Sequence, residues 1–335
     1  MAAIRIHPDV LDALGRGGAV VALETAVLTH GLSRTPMPAP PCCVTFLAGG
    51  RQWNESEPAN IEVARAMAEA VRLGGAVPAT IGMLAGELVV GLTDDELTRL
   101  GHANGSLKLS GRDLAVASAR RASGGTTVAG TLAAISIANA GGAPAVRVFA
   151  TGGIGGVHRG WTEGPDVSSD LTALARTPVC VVSAGAKSIL DLPATVEALD
   201  TLGIPVLGLG TRWFPRFLTA GAPPLAVQCE VATVEDVAAI ARAHWVDLRG
   251  GGSATGILLA NPPPAAWALS LDTTEAIIDE SVREARSRGI RAAEVTPFLL
   301  GRLAERTGGR SVEANVSSLL HNATVGAALA RAMRD

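Results

Sequence analysis

The sequence contains no tyrosine, and aromatic residues make up only 3% of its 335 positions. A core without large rings has to be filled by small aliphatic side chains, and the 48% hydrophobic content, 39 glycines and mean hydropathy of +0.32 fit that. No block of basic residues is present, and the net charge of −3 with a pI near 6.1 argues against an extended nucleic-acid surface. A small anionic ligand needs only a few local donors and stays open. The four cysteines, Cys42, Cys43, Cys180 and Cys229, have neither zinc spacing nor a disulfide framework. Cys180 lies in an apolar run and reads as a small core residue. The start, MAAIRIHPDV, lacks the apolar h-region of a secretory signal, so a cytoplasmic location is expected. No repeat, linker or composition break divides the chain.

Charge is also missing over the 24 residues from Ser123 to Val146. That is long enough to suggest a membrane span, but the stretch holds Gly124, Gly125, Thr126, Thr127, Gly130, Ser136, Asn139, Gly141, Gly142 and Pro144. A buried helix in a core explains it better, and no membrane association is expected.

What is present centres on residues 146 to 192. Val146 to Ala150 and Val179 to Val182 are short, β-branched apolar runs with the character of buried parallel strands. After the first come Gly152, Gly153, Ile154, Gly155 and Gly156, a turn expected to take positive φ and to approach a ligand closely. His158, Arg159, Asp166, Ser168 and Asp170 follow. After the second comes Ser183-Ala184-Gly185-Ala186-Lys187, an amine at the strand end where ligands bind in open α/β sheets. Lys187 reads either as a surface lysine in the first turn of a helix or as a desolvated nucleophile, with no carboxylate within three residues to pair it. A third apolar run, Val20 to Leu23, delivers Glu24 to its end, as a solvated rim residue or a site residue. Gly124 to Thr127 precede a helix and read as an ordinary cap or an anion site.

Elsewhere helical and strand patterns alternate. Strands are expected at Val77 to Leu84, Glu87 to Val90, Val206 to Leu209, Leu225 to Cys229 and Ile257 to Ala260, and the last part is helical. Residues 33 to 60 fit neither period and read as a long irregular loop. The fold expected is α/β: a single three-layer α/β/α domain over residues 1–335, with a central largely parallel or mixed sheet and a helical C-terminal region.

Several stretches together resemble the pseudouridine-5′-phosphate glycosidases, also called the indigoidine synthase A-like family. They are VALET..LTHGL, GGAVPATIG, the Lys108-Leu109-Ser110-x-Arg112-Asp113 run, GGTTVA, VFATGGIGGVHRG, DVSSDL, AGAKSILDL, LLANPPP, TPFLL and TGG…AN, in order from about residue 19 to 330. The resemblance implies reversible cleavage of the C–C glycosidic bond of pseudouridine 5′-phosphate to uracil and ribose 5-phosphate, with a divalent metal, Mn²⁺ or Mg²⁺, in a homotrimer. It implies that Glu24 is the proton donor, Lys187 the nucleophile and Asp166 the metal ligand. It places substrate contacts at Lys108, Val128, Ser168, Ser169 and Asp170, with His158 and Asn315 as further pocket residues. Departures from the family pattern are the 33 to 60 loop, Gly250 to Gly256, and Arg291-Ala292-Ala293; they bear on base specificity.

The chemistry fits the residue types. A carbon leaving group has no lone pair to protonate, so two carboxylates of the ordinary glycosidase kind do not suffice. An amine offers another electron sink, an iminium at C1′ of the ring-opened sugar. A dinucleotide-binding reading of Gly152 to Gly156 fails on spacing, because GGIGG is not G-x-G-x-x-G and no acidic residue ends a strand about 20 residues on.

Overall fold

The computed structural model describes residues 4–140, 145–162, 164–247, 255–290 and 295–334. Among these residues eleven strands occupy Ile4–Ile6 (β1), Val20–Leu23 (β2), Val77–Leu84 (β3), Glu87–Val90 (β4), Leu107–Leu109 (β5), Gly124–Thr126 (β6), Val148–Ala150 (β7), Cys180–Ser183 (β8), Val206–Leu209 (β9), Cys229–Val231 (β10) and Ile257–Ala260 (β11). They form one sheet in the order β1-β4-β3-β2-β7-β8-β11-β9-β10, with β6 branching off β3 and β5 pairing β6. Every pairing is parallel except β3 with β4 and β3 with β6.

The central strands are buried on both faces, which is why they read as unbroken apolar runs. Side chains alternate across a strand, and two separate cores record that alternation. Val20, Ala22, Phe149, Val181 and Leu258 join one core, with the helices Val128–Ala140, Leu192–Thr201 and Leu271–Ser287. Val21, Leu23, Val148, Val182 and Leu259 join the other, with Ala59–Leu73, Val234–Arg242 and the C-terminal helix Arg310–Ala332. The result is the expected three layers.

The order of strands sets the position of any site. The chain leaves β2 to make β3 on one side, and leaves β7 to make β8 on the other, so neighbouring β2 and β7 part company at their carboxyl ends. Such a switch point opens a crevice.

Several elements differ from expectation. The uncharged Ser123–Val146 stretch is broken by β6, and its helix runs only over Val128–Ala140; among the described residues no helix is long and apolar enough to cross a membrane. Within 33–60, Cys42–Phe46 is a short helix and the next helix already begins at Ala59. The rest of that segment is pinned by polar bonds: buried Glu62 pairs with Arg51 at 2.6 Å and Arg65 at 2.9 Å and accepts the Asn54 N–H at 2.9 Å. Leu225 to Val227 is not sheet. It pairs back locally, Phe214 N–H to Leu225 O at 2.9 Å and Val227 N–H to Arg212 O at 3.0 Å, and β10 starts only at Cys229. Gly250–Ala254 and Arg291–Ala293 lie outside the described residues.

Candidate active site

Four of the central parallel strands end in polar chemistry. Glu24 follows β2, Thr151 follows β7, Ser183 closes β8 four residues before Lys187, and Asn261 follows β11. At the β2/β7 switch point the Thr151 hydroxyl donates to Glu24 Oε1. Past their strands the β7 and β8 turns go on pairing: Ile154 N–H reaches Gly185 O at 3.0 Å, and Lys187 N–H reaches Ile154 O at 3.1 Å. This extension seats Lys187 beside the glycine turn. Gly185 makes the corner possible, since its φ is +71° and a Cβ there would collide with the Pro215 backbone.

Gly152 to Gly156 have a different reason for being glycine from the one expected. None of the four takes positive φ. They are glycines for lack of room: a Cβ on Gly153 would stand 2.6 Å from Phe217 Cδ2, one on Gly155 would stand 2.8 Å from Asp170 Oδ2, and one on Gly156 would collide with Thr195. Asn315 and Leu319 of the C-terminal helix close over Gly152. Asp170 fixes the turn from below, its Oδ2 accepting Gly155 N–H and its Oδ1 accepting Ala129 N–H, both at 2.8 Å. Ser168 caps the helix Ser169–Leu174, its Oγ accepting Asp170 N–H at 3.2 Å. Asp170 is buried, Ser168 half-buried, Ser169 exposed.

The charged groups form one electrostatic unit. Burial pushes the half-buried Glu24 above the ordinary carboxyl value of 4.5; the Lys187 ammonium, the Thr151 bond and Lys108 pull it back, and Asp170 adds to the rise. Lys108 in β5 presents surface to solvent, yet its crowded shell lowers it from 10.5, as does the Lys187 charge, against Glu24 and Asp170. The chain has only two lysines, and this crevice holds both. That scarcity, against 28 lysines and arginines together, is a signal that the motif-by-motif reading passed over.

The remaining expected residues ring this set. His158 is half-buried, with Nδ1 3.9 Å from Asp166 Oδ2 and its N–H on Asp166 O at 2.9 Å. Burial lowers its pKa, Asp166 opposes, and the two lysines add to the lowering. Asp166 itself is exposed. Among the described residues no group of three or more His, Cys, Asp or Glu could enclose a metal. Val128 is the buried first residue of its helix. The anion-site expectation for Thr126-Thr127 narrows sharply here. The Thr126 hydroxyl is fully buried between Ile81 O (2.8 Å) and Thr131 Oγ1 (2.9 Å), and Asp170 already takes the Ala129 N–H. Asn315 lies in the second turn of its helix, which starts at Arg310. Sequence reasoning missed Thr151 and His30; the latter is lowered by burial and by the Lys108 and Arg34 charges. Two cavities of about 640 and 610 Å³ lie elsewhere, with neither Glu24 nor either lysine in their walls.

Comparison with known proteins gives a consistent result. The profile of the indigoidine synthase A like protein family matches residues 55–332. The chain is 41% identical over 327 residues to the pseudouridine-5′-phosphate glycosidase of Alkaliphilus metalliredigens, covering 97% of this chain and 95% of that protein. It is 44% identical over 330 residues to the protein of the same name from Chloroflexus aurantiacus, covering 98% and 97%. Among solved structures, prealnumycin C-glycosynthase AlnA in complex with ribulose 5-phosphate superposes with a TM-score of 0.82 at 34% identity, covering 99% and 97% of the two chains. An indigoidine synthase A-like protein from Thermotoga maritima superposes with a TM-score of 0.78 at 30% identity, covering 98% and 96%.

Proposed function

Because this chain belongs to the indigoidine synthase A-like family, we propose that it cleaves and forms the C–C glycosidic bond of pseudouridine 5′-phosphate, through an imine on Lys187. The observation that carries the reading is the meeting of Glu24 with the chain's only two lysines at the β2/β7 switch point.

In the cleavage direction Glu24 donates a proton to the ring oxygen O4′, and the Lys187 amine takes its place at C1′, opening the sugar. The ammonium so formed on C1′ returns a proton to the Glu24 carboxylate, and the freed nitrogen lone pair forms the C1′=N bond as the C1′–C5 bond breaks; the electrons of that bond leave with uracil, whose C5 takes the proton from Glu24. Water adds to the iminium and releases ribose 5-phosphate and free Lys187. Lys108 holds the phosphate as a point charge, with the Val128 end of its helix alongside. Ser168, Ser169, His158 and Asn315 supply sugar and base contacts, and Asp170 keeps the glycine turn in shape beneath them.

A divalent cation fits these residues only as a water-rich site. One exposed carboxylate, with no surrounding cage among the described residues, suits a hard cation that retains most of its waters, so Asp166 would hold Mn²⁺ or Mg²⁺. Bound there, the cation would neutralise negative charge on the substrate. A homotrimeric assembly, a cytoplasmic setting and a place in nucleotide catabolism are proposed with the family.

The test is release of uracil from pseudouridine 5′-phosphate by the purified protein with Mn²⁺, followed by chromatography, and its reversal from uracil with ribose 5-phosphate. A second reading keeps the chemistry and changes the base, and the likeness to a C-glycosynthase favours it. Imine formation with ribose 5-phosphate but no uracil exchange supports that reading. Neither event leaves a non-catalytic phosphosugar-binding paralogue.

A further inference from the structure

We propose that Thr151, held by Asn322 of the C-terminal helix, is the residue that positions the Glu24 carboxylate for proton transfer. The inference rests on the role given to Glu24 above.

Thr151 is fully buried at the end of β7, and all its polar groups are committed: N–H to Val182 O at 3.0 Å, carbonyl to Asn322 Nδ2 at 2.7 Å, hydroxyl to Glu24. A hydroxyl has one proton, so giving it to a carboxylate fixes both side chains. Among the described residues, this is the side-chain bond the Glu24 carboxylate makes. The other charged groups facing it are Lys187 after β8, Lys108 of β5 and Asp170, and none of them hydrogen-bonds it.

The support behind Thr151 can be read atom by atom. Its carbonyl can only accept, so Asn322 must present its NH₂ there. Asn322 Oδ1 is then the acceptor for Asn261 Nδ2 at 2.8 Å, and Asn261 follows β11. Asn261 Nδ2 also meets His321 Nδ1 at 3.2 Å, which must therefore be the bare nitrogen of a neutral ring. Asn322 and Asn261 are 1% and 2% exposed. Burying two amides costs free energy that an aliphatic pair would not, and neighbours such as Leu319, Ala323 and Ala327 show that this helix face packs without them. The strap spans three strand ends and terminates on the one buried hydroxyl that touches Glu24.

The experiment compares Thr151→Val and Thr151→Ser with the wild type across pH. A bond donated to a carboxylate stabilises the charged form, so its loss moves the Glu24 titration alkaline by about one pH unit or more. Thr151→Val is expected to lower kcat by about ten- to a hundred-fold with KM changed by less than about twofold, and to shift the Glu24 limb of the pH–kcat profile upward. Thr151→Ser keeps the hydroxyl and restores both. Should the valine variant fold poorly, Asn322→Leu leaves the hydroxyl but frees its backbone, and the limb moves in the same direction. Infrared titration of the Glu24 carboxyl, identified by its loss in Glu24→Gln, reads the same shift without substrate. A protein that cleaves nothing but shows the infrared shift overturns the function and not the positioning. Unchanged limb and infrared titration in Thr151→Val overturn the positioning, whatever happens to kcat.

Discussion

Gly156 shows how much of this site is decided at single positions. Its sequence context suggests a flexible turn, but its φ is ordinary and its constraint is space: a methyl would run into Thr195, fully buried, whose hydroxyl accepts Val157 N–H at 3.0 Å and donates to Asp191 O at 2.6 Å. Gly156→Ala is therefore expected to destabilise the protein by about 1–3 kcal/mol, as overpacking of a closed site does, read as a lower urea midpoint at unchanged m. An unchanged midpoint would mean that Thr195 has room to yield. The reason lies in a partner 39 residues on, which no local pattern reveals. Glu24 and Lys187 were legible because each ends an apolar run, a local pattern. Thr151 was not, because its importance comes from the strand that lies beside β7, and pairing order is a tertiary fact.

At the scale of elements, the β7 turn, the helix at Val128 and the helix at Ser169 meet on one carboxylate. Asp170 accepts one N–H with each oxygen, which asparagine cannot do, since its NH₂ would face a second N–H. Asp170→Asn should cost about 1–3 kcal/mol of unfolding free energy and reduce turnover as the turn loosens; equal stability to the wild type by denaturant titration would show that the carboxylate does not hold these elements together. Strands and amphipathic helices followed from the sequence closely because burial on two faces dictates β-branched runs. The segment 33–60 did not, since its order comes from buried Glu62 on another helix rather than from any period of its own. The Leu225 run was misread for a similar reason: apolar and extended, it is claimed by Arg212 and Phe214 before it can join the sheet.

The whole molecule carries a cost for its site. Glu24 is raised above 4.5 in the fold chiefly by burial, so the folded state binds its proton more tightly than the unfolded chain does. Below 4.5 both states are protonated and no penalty exists; as pH rises through 4.5 the unfolded state ionises first and stability falls, until the folded carboxyl ionises too and the penalty levels off. Glu24→Gln removes the charge and can still accept from Thr151. It is expected to melt above the wild type at neutral pH, with the difference shrinking to nothing on acidification below 4.5, while activity drops by about a hundred-fold or more. A variant that melts lower at neutral pH would mean that the attraction of Lys187 and Lys108 outweighs burial.

The nucleophile is the point on which the chemistry turns, and a chain with two lysines tests it cleanly. Ribose 5-phosphate and borohydride, followed by peptide mass spectrometry, should leave a reduced sugar adduct on the peptide carrying Lys187 and none on that carrying Lys108, and Lys187→Ala should abolish it. An adduct on Lys108 instead, or uracil release that persists in Lys187→Ala, would contradict the imine mechanism.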